Sequence, residues 1–116
     1  MTLDAFLEIL NTRPETIRFE QTMAVIEALY QFTPTAFTNG EVRNDAGQNS
    51  GSCKLFAFAH LQGLSEAQTL ACFGDYYRVD VLNHPQAQDH QNIRNFMRFG
   101  WAGIRFEGTP LEAHQH

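Results

Sequence analysis

Apolar positions near the start of the chain recur at helical spacing. Leu3, Phe6, Leu7 and Leu10 form one stripe, and Thr2 stands where a side-chain oxygen can cap it. Asn11–Pro14 breaks the pattern. Phe19, Met23, Ile26 and Tyr30 form a second stripe, which predicts a helix over Glu15–Tyr30 ended by Pro34. Two short strand-like runs, 35–38 and 41–44, then flank Asn39-Gly40. This dipeptide favours a two-residue type I′ hairpin, with Phe37 opposite Val42. A third helix is expected from Ser50 to Gly63 through the apolar run Leu55–Ala59. Ser65 with Gln68 forms a capping box that opens a fourth helix, with Leu70, Phe73, Tyr77 and Val81 on one face. Asn83-His84-Pro85 ends it. Asp89 is placed to cap a fifth helix with Ile93, Phe96 and Met97 inward and Gly100 at its C′ position. Trp101–Phe106 reads as a strand. The order predicts one α+β domain over residues 1–116. About five helices pack with a small antiparallel sheet, built from a hairpin near 35–44 and a C-terminal strand near 102–106.

Composition narrows the function more than the fold. A chain of 116 residues with 43% hydrophobic content and ten phenylalanines can bury a single core without staples. The net charge is −5, concentrated in residues 1–51, where Arg13, Arg18 and Arg43 face seven acids. An acidic chain repels phosphate backbones, which argues against nucleic acid as a partner. No apolar run is long enough to span a membrane, and Asp4 and Glu8 interrupt what a signal peptide would need. Cys53 and Cys72 lack Cys-x-x-Cys spacing and read as free thiols in a reducing compartment.

The richest candidate chemistry lies in the polar, glycine-bearing stretch Asn44–Lys54. If Ser50 caps the third helix, Cys53 falls in its first turn, where the amide dipoles and Lys54 favour thiolate. A nucleophilic cysteine needs a base. His60 is two turns away, roughly 10 Å along the axis. His90 or His84 would have to reach Cys53 through the tertiary fold, with Asn92 or Asp89 orienting the imidazole. Gly51-Ser52-Cys53 is locally like the papain-type nucleophile segment, but the rest of that pattern is absent.

The same stretch can be read as an anion cradle. Asn44, Gln48, Asn49, Ser50, Ser52 and Lys54 are the candidate ligand-binding residues, joined by Arg94 from the last helix. The Walker A order is missing. Arg94 and Arg98 lie four apart and suit carboxylate recognition; the alternative is ion pairing to Asp75 or Asp80. His84, Asp89 and His90 fit no standard metal site, so no metal and no cofactor is expected. His114 and His116 fall in the terminal segment, where fraying is expected. Trp101 reads as a core anchor.

Several long motifs carry a family resemblance. They are Phe37-Thr38-Asn39-Gly40, the run from Asn44 to Phe56 through Ala46-Gly47-Gln48-Asn49 and Gly51-Ser52-Cys53-Lys54, Tyr76-Tyr77-Arg78, Asp89–Met97 and Gly100–Phe106. Over roughly Phe19–Leu111 the chain resembles the HopJ type III effector family. The resemblance implies a bacterial protein, cytoplasmic with delivery into a host cell by type III secretion, and a host protein as a partner. It implies no catalytic residue. Two functional readings therefore stand. One is a binding or interaction module that takes a small anionic ligand, or a host protein, at a polar pocket between the 44–54 loop and His90. The other is a small acyl-transfer or hydrolytic enzyme with Cys53 as nucleophile and His90 or His84 as base.

Overall fold

The computed structural model describes residues 1–114. Its organising element is a helix that is apolar almost all round. This is α3, Ser50–Leu61, in which Cys53 and the unbroken run Leu55–Ala59 are all buried. A helix without a polar face must be surrounded, and the other elements enclose it. α1 (Leu3–Thr12) contributes Phe6 and Leu10, and the Thr2 hydroxyl accepts the Ala5 N–H at 3.1 Å at its start. α2 (Phe19–Leu29) contributes Val25 and Ile26. α4 (Glu66–Ala71) and α5 (Gln91–Phe99) add Leu70, Ile93 and Phe96. Phe56 sits at the centre, with ring centroids 5.0 Å from Phe96, 5.5 Å from Phe73 and 6.2 Å from Phe37.

Two antiparallel sheets complete an α+β fold. β2 (Phe37–Asn39) is the middle strand of the order β3-β2-β4, between β3 (Val42–Asn44) and β4 (Ile104–Phe106). β1 (Tyr30–Phe32) pairs with β5 (Leu111–Ala113), a second sheet that the hydrophobic pattern did not predict. Three-residue strands are too short to show a period of two. Tyr30 thus opens a strand rather than closing a helix. The His114 N–H donates to Leu29 O at 3.0 Å, so His114 is tied to the fold. His116 lies outside the described residues.

The structure corrects other expectations as well; the strand predicted over Trp101–Phe106 begins only at Ile104, after a 3-10 turn at Gly100–Gly103. The helix predicted over Glu15–Tyr30 is split into a 3-10 turn at Pro14–Thr16 and α2, which begins only at Phe19. Arg78 holds the segment between them. Its guanidinium donates to the carbonyls of Pro14 and Ile17 and to that of Ala71, acceptors that a continuous helix would have used itself. The predicted fourth helix is also broken. It stops after Ala71, turns at Gly74 (φ +64°) and resumes as π-helix over Tyr76–Val81. Thr22 Oγ1 donates to the Cys72 carbonyl at the break, at 2.8 Å.

The hairpin loop lies one residue later than predicted, which moves the partner of Phe37 two residues along. Asn39 pairs with Val42 and Phe37 with Asn44, which leaves Gly40-Glu41 as the loop. Gly40 has φ +61°, whereas Glu41 does not have a positive φ. That is the sign pattern of a type II′ turn, not type I′. Asn39 is not in the turn because its side chain is fully buried and bonded to α5. Finally, α5 is capped by neither Asp89 nor any other side chain. Its N-cap residue is His90, while Asp89 binds Arg94.

Candidate functional site

Two helix starts meet at one cleft of about 460 Å³. The first is that of α3, whose N-cap residue is Asn49 rather than Ser50. The second is that of α5, at His90. Both residues adopt the left-handed conformation, with φ 51°, and no other non-glycine residue among those described has a positive φ. Asn and His tolerate this region better than most residues. It has a consequence for both helices. Neither side chain turns back to cap, so the first amides of each helix have no side-chain acceptor. Gly51 and Ser52 from α3, with Gln91 and Asn92 from α5, line the cleft. Phe19, Phe73 and Tyr76 form an aromatic wall, with Phe19 and Tyr76 edge-on at 5.2 Å. His90 stacks obliquely on Tyr76 at 5.2 Å and places Nε2 3.1 Å from Asp80 Oδ2.

Four asparagines, Asn49 and Asn92 on the lining of the cleft and Asn39 and Asn44 beneath it, set this geometry. Asn39 Nδ2 donates to the Asn92 carbonyl at 2.7 Å and to Asn92 Oδ1 at 3.1 Å. Asn44 and Asn92 exchange two hydrogen bonds, at 3.1 and 3.0 Å. Asn49 Nδ2 donates to Asn44 Oδ1 at 2.7 Å. The network joins β2, β3 and the starts of α3 and α5. Side-chain amides bonded to one another in this way fix the position of the segments that carry them.

The predicted site residues are distributed unevenly about this cleft. Asn49, Ser52 and His90 line it, and Asn44 lies in the network below. Gln48 closes its own loop, its Oε1 accepting the Asp45 N–H at 3.0 Å. Ser50 Oγ reaches only the Gly47 carbonyl, at 3.5 Å. Lys54 belongs to another surface, with Nζ 3.6 Å from Glu27 and 4.9 Å from the Phe32 ring centroid. Arg94 is bound to Asp89 at 2.7 Å, and neither Asp75 nor Asp80 is its partner. That contact, with the nearby His90, holds the Asp89 carboxyl below the usual range. Phe19, Tyr76 and Gln91 are lining residues that the sequence did not mark as site residues: Phe19 reads as part of a core stripe, and Tyr76 and Gln91 stand only inside the family motifs. Asn92, expected to orient an imidazole, lines the cleft and bonds to Asn39 and Asn44 instead. Among the described residues no three His, Cys, Asp or Glu side chains gather as a metal site would require.

The family model for the HopJ type III effector protein matches residues 3–111. The chain belongs to the HopJ type III effector family. A crystal structure described as that of the unknown function protein VPA0580 is 60% identical in sequence to this HopJ chain. It superposes with a TM-score of 0.96, over 98% of this chain and 95% of the other. Comparison with curated proteins gives no match. No helix of the HopJ chain is long and apolar enough to cross a membrane among the described residues.

In this HopJ fold the two thiols are packing groups. Cys53 is 1% exposed and its Sγ lies 3.5 Å from the Thr35 carbonyl; no hydrogen bond joins it to a histidine among the described residues. Its position in α3 was expected to favour thiolate. Burial wins instead and pushes the thiol from 9.0 up to about 11, against a smaller opposing effect of the Thr35 backbone. Burial pushes Cys72 up to about 12. Iodoacetamide at pH 8 should therefore leave both cysteines of the native protein unlabelled and modify them only after unfolding. Rapid labelling of Cys53 in the folded state would reinstate a reactive thiol. The alkaline behaviour has a definite sign. The native state keeps protons that the unfolded chain gives up, so the stability from neutral Cys53 is complete below pH 9 and is lost as pH rises through 11. The loss is on the order of 2 kcal/mol, and Cys53→Ala should flatten that part of a melting-temperature profile.

Proposed function

We propose that this protein is a non-enzymatic binding module that receives a small anion bearing an aromatic or apolar group. The carrying observation is the convergence of two helix starts, both without a side-chain cap, on one cleft with an aromatic wall. Unpaired amides and the positive ends of two helix dipoles favour a phosphate or carboxylate. Phe19, Phe73 and Tyr76 offer the rest of the ligand an apolar face. Burial of Cys53 removes the main support for the enzymatic alternative. The family name supports the further reading that the module works in the bacterial cytoplasm and, after type III delivery, on a host protein. Export of a tagged copy that is equal with and without a working type III apparatus would remove that further reading.

The cleft is tested with phenyl phosphate, benzoate, inorganic phosphate and benzylamine, followed by amide chemical shifts and melting temperature. Phenyl phosphate should shift Gly51, Ser52 and Asn92 and raise the melting temperature. Phosphate alone should do so more weakly, and benzylamine not at all. Ser52→Asp places a competing carboxylate at the helix start. It should weaken phenyl phosphate at least tenfold, about 1.4 kcal/mol, without unfolding the protein. Equal responses to benzylamine and phenyl phosphate would defeat the proposal.

A further inference from the structure

A second concave surface lies on the other flank of α5 and shares no lining residue with the cleft. Its volume is about 310 Å³, and its apolar floor is Val81, Leu82, Pro85 and Met97. The sequence pattern placed Met97 in the core. In the fold it is 45% exposed, and Leu82 is 48% exposed, so two large apolar side chains border one groove and face solvent. Buried apolar positions on α5 are already taken by Ile93 and Phe96. Core packing therefore does not account for Met97.

The charge around the groove differs from that of the whole chain. The protein carries −5, yet the only charged residues lining this groove are Arg94 and Arg98. Arg94 is neutralised by Asp89. Arg98 forms no ion pair among the described residues and rests over the Phe99 ring, 5.0 Å from its centroid. An exposed apolar groove with an unpaired guanidinium at its rim is complementary to an apolar side chain flanked by a carboxylate. The acidic character of the chain as a whole disfavours a second copy through long-range repulsion.

We infer that the groove between Val81–Pro85 and the Met97–Arg98 end of α5 docks an acidic amphipathic segment of another protein. The segment would lay its apolar row on Leu82 and Met97 and set a carboxylate against Arg98, a helix-in-groove mode of recognition. The inference is independent of the anion cleft.

Two synthetic helical peptides of about 15 residues provide the probe. Both carry leucines at helical spacing; one has glutamates on the remaining face and the other has lysines. The glutamate peptide should bind and shift the amides of Leu82, Met97 and Arg98, with affinity falling as salt is added. Arg98→Glu and Met97→Glu, both at exposed positions, should each weaken it at least tenfold while the circular dichroism melt stays unchanged. Ser52→Asp, on the cleft, should have no effect on it. Equal binding of the lysine peptide overturns the inference, and so does binding of neither. Sedimentation showing a dimer that Met97→Glu dissolves also overturns it, since a second copy would then be the occupant.

Discussion

Gly74→Ala should cost the fold about 3 kcal/mol or more and lower its melting temperature by about 10 °C. Two effects add at this position. Gly74 has φ +64°, where an L side chain pays about 1–2 kcal/mol. A Cβ there would also stand 2.7 Å from the Phe19 backbone nitrogen and 3.1 Å from Arg18 Cα. Those atoms belong to the start of α2 and cannot swing aside as a side-chain tip could. Gly63 is an internal control. Its φ is +66°, but nothing lies within 4 Å of the Cβ it would gain. Gly63→Ala should therefore show only the conformational part, about 1 kcal/mol. Denaturant melts of the two variants measure the difference. Equal losses would mean that the close approach of α2 to the broken helix contributes nothing.

Asn92→Ala should be nearly as damaging, at about 2–4 kcal/mol, despite removing only three heavy atoms' worth of polar side chain. Asn44 would lose both of the hydrogen bonds that it exchanges with Asn92. Asn39 would keep its bond to the Asn92 carbonyl but lose the one to Oδ1. The abandoned groups are buried, and an unpaired buried amide is what makes such deletions expensive. Asn39 Oδ1 has no partner even in the intact fold, so the network has no slack to redistribute. A double-mutant cycle with Asn44→Ala should return a coupling above about 1 kcal/mol. Additive losses would show that the asparagines act singly. The cleft should suffer along with stability, because the network fixes both helix starts.

How much of this was legible in the chain depends on the distance over which each feature is decided. Helix stripes and the Ser65–Gln68 capping box are local, and α1, α3, the start of α4 and α5 stand close to where periodicity put them. The breaks were not legible. Gly74 in a helical pattern signals a weakened helix, but its turn is explained by the α2 backbone packed against it, and no local reading supplies that. Asn39-Gly40 was read by its commonest turn. A bond from Asn39 to a residue 53 positions away moved the register. The site was half visible for the same reason. The 44–54 stretch advertised a helix start with Asn49 and Ser52, and His90 was a natural partner. That Cys53 turns inward, that Lys54 joins Glu27, and that Phe19 and Tyr76 wall the cleft are tertiary facts.

The one-residue shift of the hairpin loop also bears on how the protein ages. Asn-Gly is the dipeptide most prone to spontaneous deamidation, because the glycine nitrogen can attack the asparagine side-chain carbonyl and close a succinimide ring. In the folded chain that nitrogen donates to the Gly103 carbonyl at 3.0 Å, and the Asn39 amide is bonded to Asn92. Asn39 is fully buried and held in the extended backbone of β2. Ring closure needs a rotation of that side chain and freedom at Gly40, and the fold withholds both. The chemical clock written into Asn39-Gly40 therefore runs in the unfolded chain and is stopped by folding. Each tick would leave an isoaspartate or an aspartate, a lengthened backbone or an added carboxylate charge, at a position where the native core holds a neutral amide.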